Sequence, residues 1–269
     1  MDNFIEWVRD LSGGAFDGVS APVIIAMSVV AGLLIIASIF AFGVSCYLAI
    51  KYVIYNRKKN STGKTGEQIA RDILDKNGLG NIKVSATGSI LFGNSYSHYF
   101  KKVRLRRLTW KKSSVSSLAM AAQKSALAVL DKEGDKDMKA RVKMTPLIYF
   151  GPVAFVPLVV IGALLDILVF TNANGICTFI LTCVALVIYV LSFVMSILVL
   201  KTEKKAQKRA YEIMKAEGLA TEEELEDCKK LFKLYNIEYV NDMVIALLEL
   251  IYRVLQIIAY AQSSSSSSN

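Results

Sequence analysis

The stretch Val19–Ile50, VSAPVIIAMSVVAGLLIIASIFAFGVSCYLAI, runs for 32 residues without a charged side chain. An α-helix needs roughly 20 predominantly apolar residues to cross the hydrocarbon core of a bilayer. The stretch exceeds that length, so it reads as a membrane span. It does not read as a cleavable leader, whose apolar core is only about 7–15 residues and follows basic residues. Here the basic cluster Arg57-Lys58-Lys59 comes after the apolar run. Residues 19–55 are therefore expected to persist as an anchor.

Two more uncharged runs follow, Thr145–Leu165 and Thr171–Leu200. They account for much of the 54% hydrophobic content of the 269-residue chain. They read as spans at 145–171 and, after an outside turn, within 172–200. A last apolar segment, 238–262, carries Asp242, Glu249 and Arg253. Glu249 and Arg253 are spaced i, i+4 with the acid first, the better order for pairing. This segment reads as a fourth span, with an interfacial helix as the alternative. Residues 263–269, nearly all serine, read as a disordered tail.

Charge orients these spans. Between Arg57 and Lys143 there are 20 Lys/Arg against 7 Asp/Glu. The segment 1–18 is net acidic, through Asp2, Glu6, Asp10 and Asp17 against Arg9. Basic residues beside spans mark the cytoplasmic side. The expected topology has 1–18 outside and 56–144 and 201–237 in the cytoplasm. The basic excess suits anionic lipid headgroups as the partner. No DNA- or RNA-reading motif is present, so nucleic acid is not expected.

STGKTGEQIA, 61–70, superficially suggests a phosphate loop. That motif needs a glycine five residues before its Gly-Lys pair, and Lys58 stands there. A helix start explains the stretch: Thr65 with Gln68 is a capping box, Ile69, Ile73 and Leu74 give an apolar face, and Asn77-Gly78 ends the turn. Residues 82–84 and 103–105 read as short strands. Ser113–Leu130 reads as a helix with Val115, Leu118, Ala119, Ala122, Ala126 and Val129 on its apolar stripe. Gln123 and Lys124 are expected on the opposite, wet face. A charged helix over Glu203–Lys215 ends at Gly218, and Thr221 with Glu224 caps the next one.

Cys46, Cys177, Cys183 and Cys228 form no CxxC pair and read as small apolar fillers. His98 is the one histidine, so no two-histidine metal site can form within one chain. Asp166 falls roughly 30 Å along the second span at about 1.5 Å per residue, which places it at a hydrated interface. Pro146, Pro152 and Pro157 read as helix-starting or kinking residues.

Several stretches, in this order, resemble the bacterial membrane zinc metallopeptidases, the neutral zinc peptidases of the HExxH type. They are TGEQIARDILDKNGLGNIKV (65–84), GNSYSHYFKKVRLR (93–106), SSLAMAAQKSALA (116–128) and EKKAQKRAYEIMKAEGLATEEELEDCKKL (203–231). The resemblance implies a fold class that is mainly α: a polytopic helical membrane protein with a small α+β zincin-like cytoplasmic module at 56–144. In the family, two histidines at i and i+4 bind zinc and the glutamate between them activates water. Those positions correspond here to Gln123, Lys124 and Leu127, and a third, acidic ligand corresponds to Glu203. The resemblance therefore implies a degenerate site: no catalytic or metal-binding residues, and no cofactor, although active relatives carry zinc. The expected function is that of a pseudopeptidase, a scaffold or binder of membrane proteins or peptides. Two alternatives stand beside it: an active metallopeptidase with non-standard ligands, and a structural membrane protein sharing only the layout. An ordinary half-exposed helix remains the alternative reading of AAQKSALA, 121–128.

Overall fold

The computed structural model describes residues 2–13, 16–88, 93–170 and 175–266. The elements are α1 (Asp2–Leu11), α2 (Ala21–Arg57), α3 (Gly66–Lys76), β1 (Lys83–Thr87), β2 (Ser95–Ser97), β3 (Lys102–Arg106), α4 (Arg107–Lys111), α5 (Val115–Lys132), α6 (Lys136–Lys143), α7 (Thr145–Leu168), α8 (Ile176–Ala216) and α9 (Glu222–Ser266). The chain is mostly helical, with one small sheet. Three helices, α2, α8 and α9, are long and apolar enough to cross a membrane, and α7 adds the shorter apolar helix Val153–Leu168.

The chain divides into two compact units. One comprises Gly43–Thr145 with Met195–Val240, the other Met1–Phe42, Pro146–Val194 and Asn241–Asn269. In the first of these, α3 starts as its residues dictate. Thr65 accepts the Gln68 amide, and the Gln68 side chain accepts the Thr65 amide. The helix closes at Gly78, whose left-handed φ of +64° a side chain would disfavour. Leu79 N then reaches back to Leu74 O at 2.8 Å, so the orphan carbonyls of the last turn are satisfied. At the other end, Gly66 lies against α4. A Cβ there would sit 2.1 Å from Thr109 O, so only glycine permits this approach.

The sheet has the order β1-β3-β2. β1 pairs parallel to β3, with Lys83 opposite Lys102 and Ser85 opposite Arg104. β2 pairs antiparallel, with Ser95 opposite Arg104 and Ser97 opposite Lys102. Because side chains alternate along a strand, Val103 and Leu105 enter the core while Lys102, Arg104 and Arg106 take the other face. α5 is buried from Val115 to Leu130. It shares one core with Ile69, Ile73 and Leu74 of α3, Ala206, Ala210 and Met214 of α8, and Leu225 and Leu231 of α9.

The strand read at 82–84 begins one residue later and runs to Thr87, and β2 is an addition to the sequence reading. The charged helix expected from Glu203 is the continuation of α8, with no break after the apolar run. Likewise Thr221 and Glu224 cap a helix, as expected, but that helix continues through 238–262 as α9. It extends to Ser266, past the start of the expected disordered tail, because adding serine to an existing helix costs little once the nucleus exists.

In the other unit, the helix α1 was not expected. Its Ile5 is buried with Val19, Ile24, Met27 and Ala259, while Phe4, Trp7 and Leu11 are exposed. Asp166 accepts the amides of Cys177 and Thr178 and the Thr178 hydroxyl at 2.6–3.0 Å. It caps the free N–H groups of α8, a structural role that goes beyond the hydration expected. Residues 172–174 of the turn expected outside at 172–175 lie outside the described residues. Glu249 and Arg253 form no direct ion pair and both meet Tyr189: Glu249 accepts its hydroxyl at 2.6 Å, and the Arg253 guanidinium lies 5.6 Å from its ring centroid and 4.1 Å from that of Phe155.

Candidate functional site

α5 opens with Ser114 as N-cap, whose hydroxyl accepts the Ser117 amide. Half of the residues from Val115 to Leu130 are Ala or Ser. Such small side chains allow neighbouring elements to approach on every side, so the helix is central and not peripheral. This overturns the expectation of a wet face: Gln123 is 2% exposed and Lys124 6%.

Both residues meet Glu203, 80 and 79 positions away on α8. Gln123 Nε2 donates to Glu203 Oε2 at 2.8 Å, and Lys124 Nζ lies 2.8 Å from the same oxygen. The other oxygen, Oε1, accepts from Arg141 Nη2 at 2.9 Å, while Arg141 Nη1 donates to Thr202 Oγ1 at 2.8 Å. The Glu203 side chain is 2% exposed, Lys124 7% and Arg141 17%. Leu127, one turn beyond Gln123 on α5, is buried as well.

Arg141 is the member that sequence reading missed. It stands in the charged run KDMKARVK of α6, which reads as one more basic juxtamembrane stretch. Only tertiary packing distinguishes it from the solvated cations beside it.

Burial alone would push the Glu203 carboxyl up, but the adjacent Lys124 and Arg141 charges outweigh that effect. The carboxyl is held below the usual glutamate range. The arrangement is an acid between two cations, with an amide as a further donor. Glu203 Oε2 takes two of these donors and Oε1 one.

His98 and the four cysteines are not among the contacts of this cluster. His98 Nδ1 lies 2.6 Å from Asp131 Oδ2, which also accepts the Tyr96 hydroxyl. Cys228 is buried, and burial raises its thiol pKa. Cys46, Cys177 and Cys183 are free thiols. Among the described residues no group of three or more His, Cys, Asp or Glu is placed to hold a metal.

The sequence pattern of the family described as "Putative neutral zinc metallopeptidase" matches residues 30–258. The chain belongs to that family. It is similar to the "Putative membrane protease YugP" of Bacillus subtilis (strain 168), with 26% identity over 227 residues, 83% of this chain and 96% of the relative. No solved structure matches it.

The neutral zinc metallopeptidase family implies a metal, and the cluster tests whether these residues suit one. Zinc takes thiolate, imidazole or carboxylate donors. The Lys124 ammonium has no lone pair to offer, and Leu127 has no donor atom. The Gln123 amide nitrogen is donating to Glu203, and both Glu203 oxygens are occupied by cations. The residues at these positions do not fit a zinc ion.

Proposed function

We propose that this member of the neutral zinc metallopeptidase family is a membrane-embedded pseudopeptidase, with a zincin-like module whose metal position is replaced by an ion-pair cluster. The observation that carries this reading is the 2.8 Å contact of Lys124 Nζ with Glu203. The ammonium neutralises the carboxylate and links α5 to α8, the structural work that a shared metal would do. What survives is a scaffold or binder of membrane proteins or peptides of the kind active relatives would cut. The basic excess of 57–143 and 201–209 supports a multi-pass topology with the amino terminus outside and those segments cytoplasmic.

Elemental analysis of the purified protein, with a peptidase assay on the same sample, tests the reading. The expected result is less than stoichiometric zinc and no cleavage. One tightly held zinc that is lost on Glu203→Gln, together with peptide hydrolysis, would establish an active enzyme instead. Crosslinking in native membranes addresses the binding role. Recovery of the same membrane proteins by wild type and by a Lys124→Arg variant is expected, and an empty partner list would leave only a structural role.

A further inference from the structure

The cations of the module are not all used alike. Lys58, Lys64, Lys76, Lys201, Lys205, Arg209 and Lys215 each face a carboxylate within salt-bridge distance. By contrast, among the described residues Lys83, Lys101, Lys102 and Arg104 make no ion pair. From Tyr99 to Lys112 the chain holds seven Lys/Arg and no Asp or Glu.

The strand register gathers this charge on one face. Lys83 on β1 stands directly opposite Lys102 on β3, and Arg104 follows two residues on, beside Ser85 and Ser95. Ser97 of β2 stands opposite Lys102 on its other side. Like charges directly opposed across strands are destabilising, and β1, β2 and β3 carry no acid to offset them. At its edge, the turn between β2 and β3 carries Phe100, 71% exposed. Arg104 lies over that ring at 5.6 Å, so the aromatic and the cations share a surface. Lys101, with φ of 44°, completes the turn and is exposed as well.

We infer that this sheet face is a docking surface for anionic lipid headgroups, with Phe100 as the side chain that enters the interface. Lipid is the occupant favoured on three grounds. The face is unpaired and uniformly basic, which matches a headgroup layer that carries many negative charges in a plane. It adds hydroxyls from Ser95 and Ser97, suited to phosphate oxygens. The module is also covalently continuous with apolar helices, which raises the effective concentration of bilayer around it without any further affinity. The inference rests on the membrane reading of those helices and is independent of whether the module is catalytic.

The full chain bearing Phe100→Trp, reconstituted in bilayers whose acyl chains carry bromine, tests this. The parent protein supplies the background from Trp7 and Trp110. Quenching of the added tryptophan is expected in phosphatidylglycerol bilayers and not in purely zwitterionic phosphatidylcholine. It should fall on raising salt to about 1 M, where screening is effective beyond roughly 3 Å. Each basic residue near an anionic surface is worth roughly fivefold, so Lys83→Gln, Lys102→Gln and Arg104→Gln together should lower the docking equilibrium by about a hundredfold. Lys83→Arg with Lys102→Arg should retain it. Should the triple variant fail to fold, the lipid and salt comparisons on the Phe100→Trp chain decide the matter alone. Equal quenching in both lipids, insensitivity to salt, or a response only to added RNA or phosphopeptide would overturn the proposal.

Discussion

Lys124 of α5 and Glu203 of α8 form an ion pair at 2.8 Å in which both side chains are more than nine-tenths buried. Burying two charges is costly, and their attraction repays that cost only with good geometry and further hydrogen bonds. Gln123 and Arg141 supply those bonds. Breaking the pair from one side leaves an incompletely matched carboxylate in the core. Lys124→Ala is therefore expected to destabilise the protein by about 3–5 kcal/mol. Adding Glu203→Gln should recover part of that loss, since the orphaned charge is removed. A double-mutant cycle in detergent, read by thermal or denaturant unfolding, measures the coupling. Simple additivity of the two changes would mean the pair contributes nothing.

The same pair sets an acid limit. The folded-state pKa of Glu203 is depressed relative to about 4.3 for an unperturbed glutamate. A depressed carboxyl contributes stability that is fully present above the unfolded value and is lost as pH falls through the folded one. The stability gap between wild type and Glu203→Gln should thus stay constant from about pH 7 to about pH 5 and narrow below about pH 4. Melting curves of both proteins across that range check the sign. A gap that widens on acidification would contradict it.

Installing a metal site requires one change that sequence comparison does not suggest. Gln123→His, Lys124→Glu and Leu127→His give the i, i+4 histidine spacing opposite Glu203. Arg141 would still hold Glu203 Oε1, where its charge opposes a cation. The triple variant is expected to bind zinc weakly, and Arg141→Leu added to it should tighten binding by at least about tenfold, as for other changes next to a metal site. Isothermal titration with zinc compares the two. Equal affinities would show that Arg141 does not compete.

Gly66 offers a purely steric test. Gly66→Ala places a methyl group against the Thr109 carbonyl, 2.1 Å from its oxygen before relaxation. Backbone on both sides leaves little room for movement, so a loss of about 3 kcal/mol is expected. A melting temperature unchanged from wild type would show that α3 and α4 can separate freely at this point.

Topology is open to labelling on a cysteine-free background. An impermeant thiol reagent applied outside should reach Asn3→Cys and not Lys136→Cys. The reverse pattern would invert the orientation inferred from the basic asymmetry.

Local features of this chain were legible because they depend on neighbours in sequence. The apolar runs marked α2 and the segments of α8 and α9 that are long and apolar enough to cross a membrane, since bilayer thickness fixes the length required. Thr65 with Gln68 and Thr221 with Glu224 marked helix starts, because a capping box closes within four residues. The helix α1 was also within reach, as Phe4, Ile5, Val8 and Leu11 follow helical spacing, but the acidic residues among them masked it. The resemblance drew attention to Gln123, Lys124 and Glu203, but their meeting was not legible in the sequence. Whether Lys124 is wet or buried depends on α8 arriving some 80 residues later, and whether Glu203 is neutralised depends on Arg141 of α6. A periodicity argument assigns one face of α5 to water, because it assumes that only one side of a helix is covered. The small residues along α5 let protein cover the other side too, and that contact decides the electrostatics of the site.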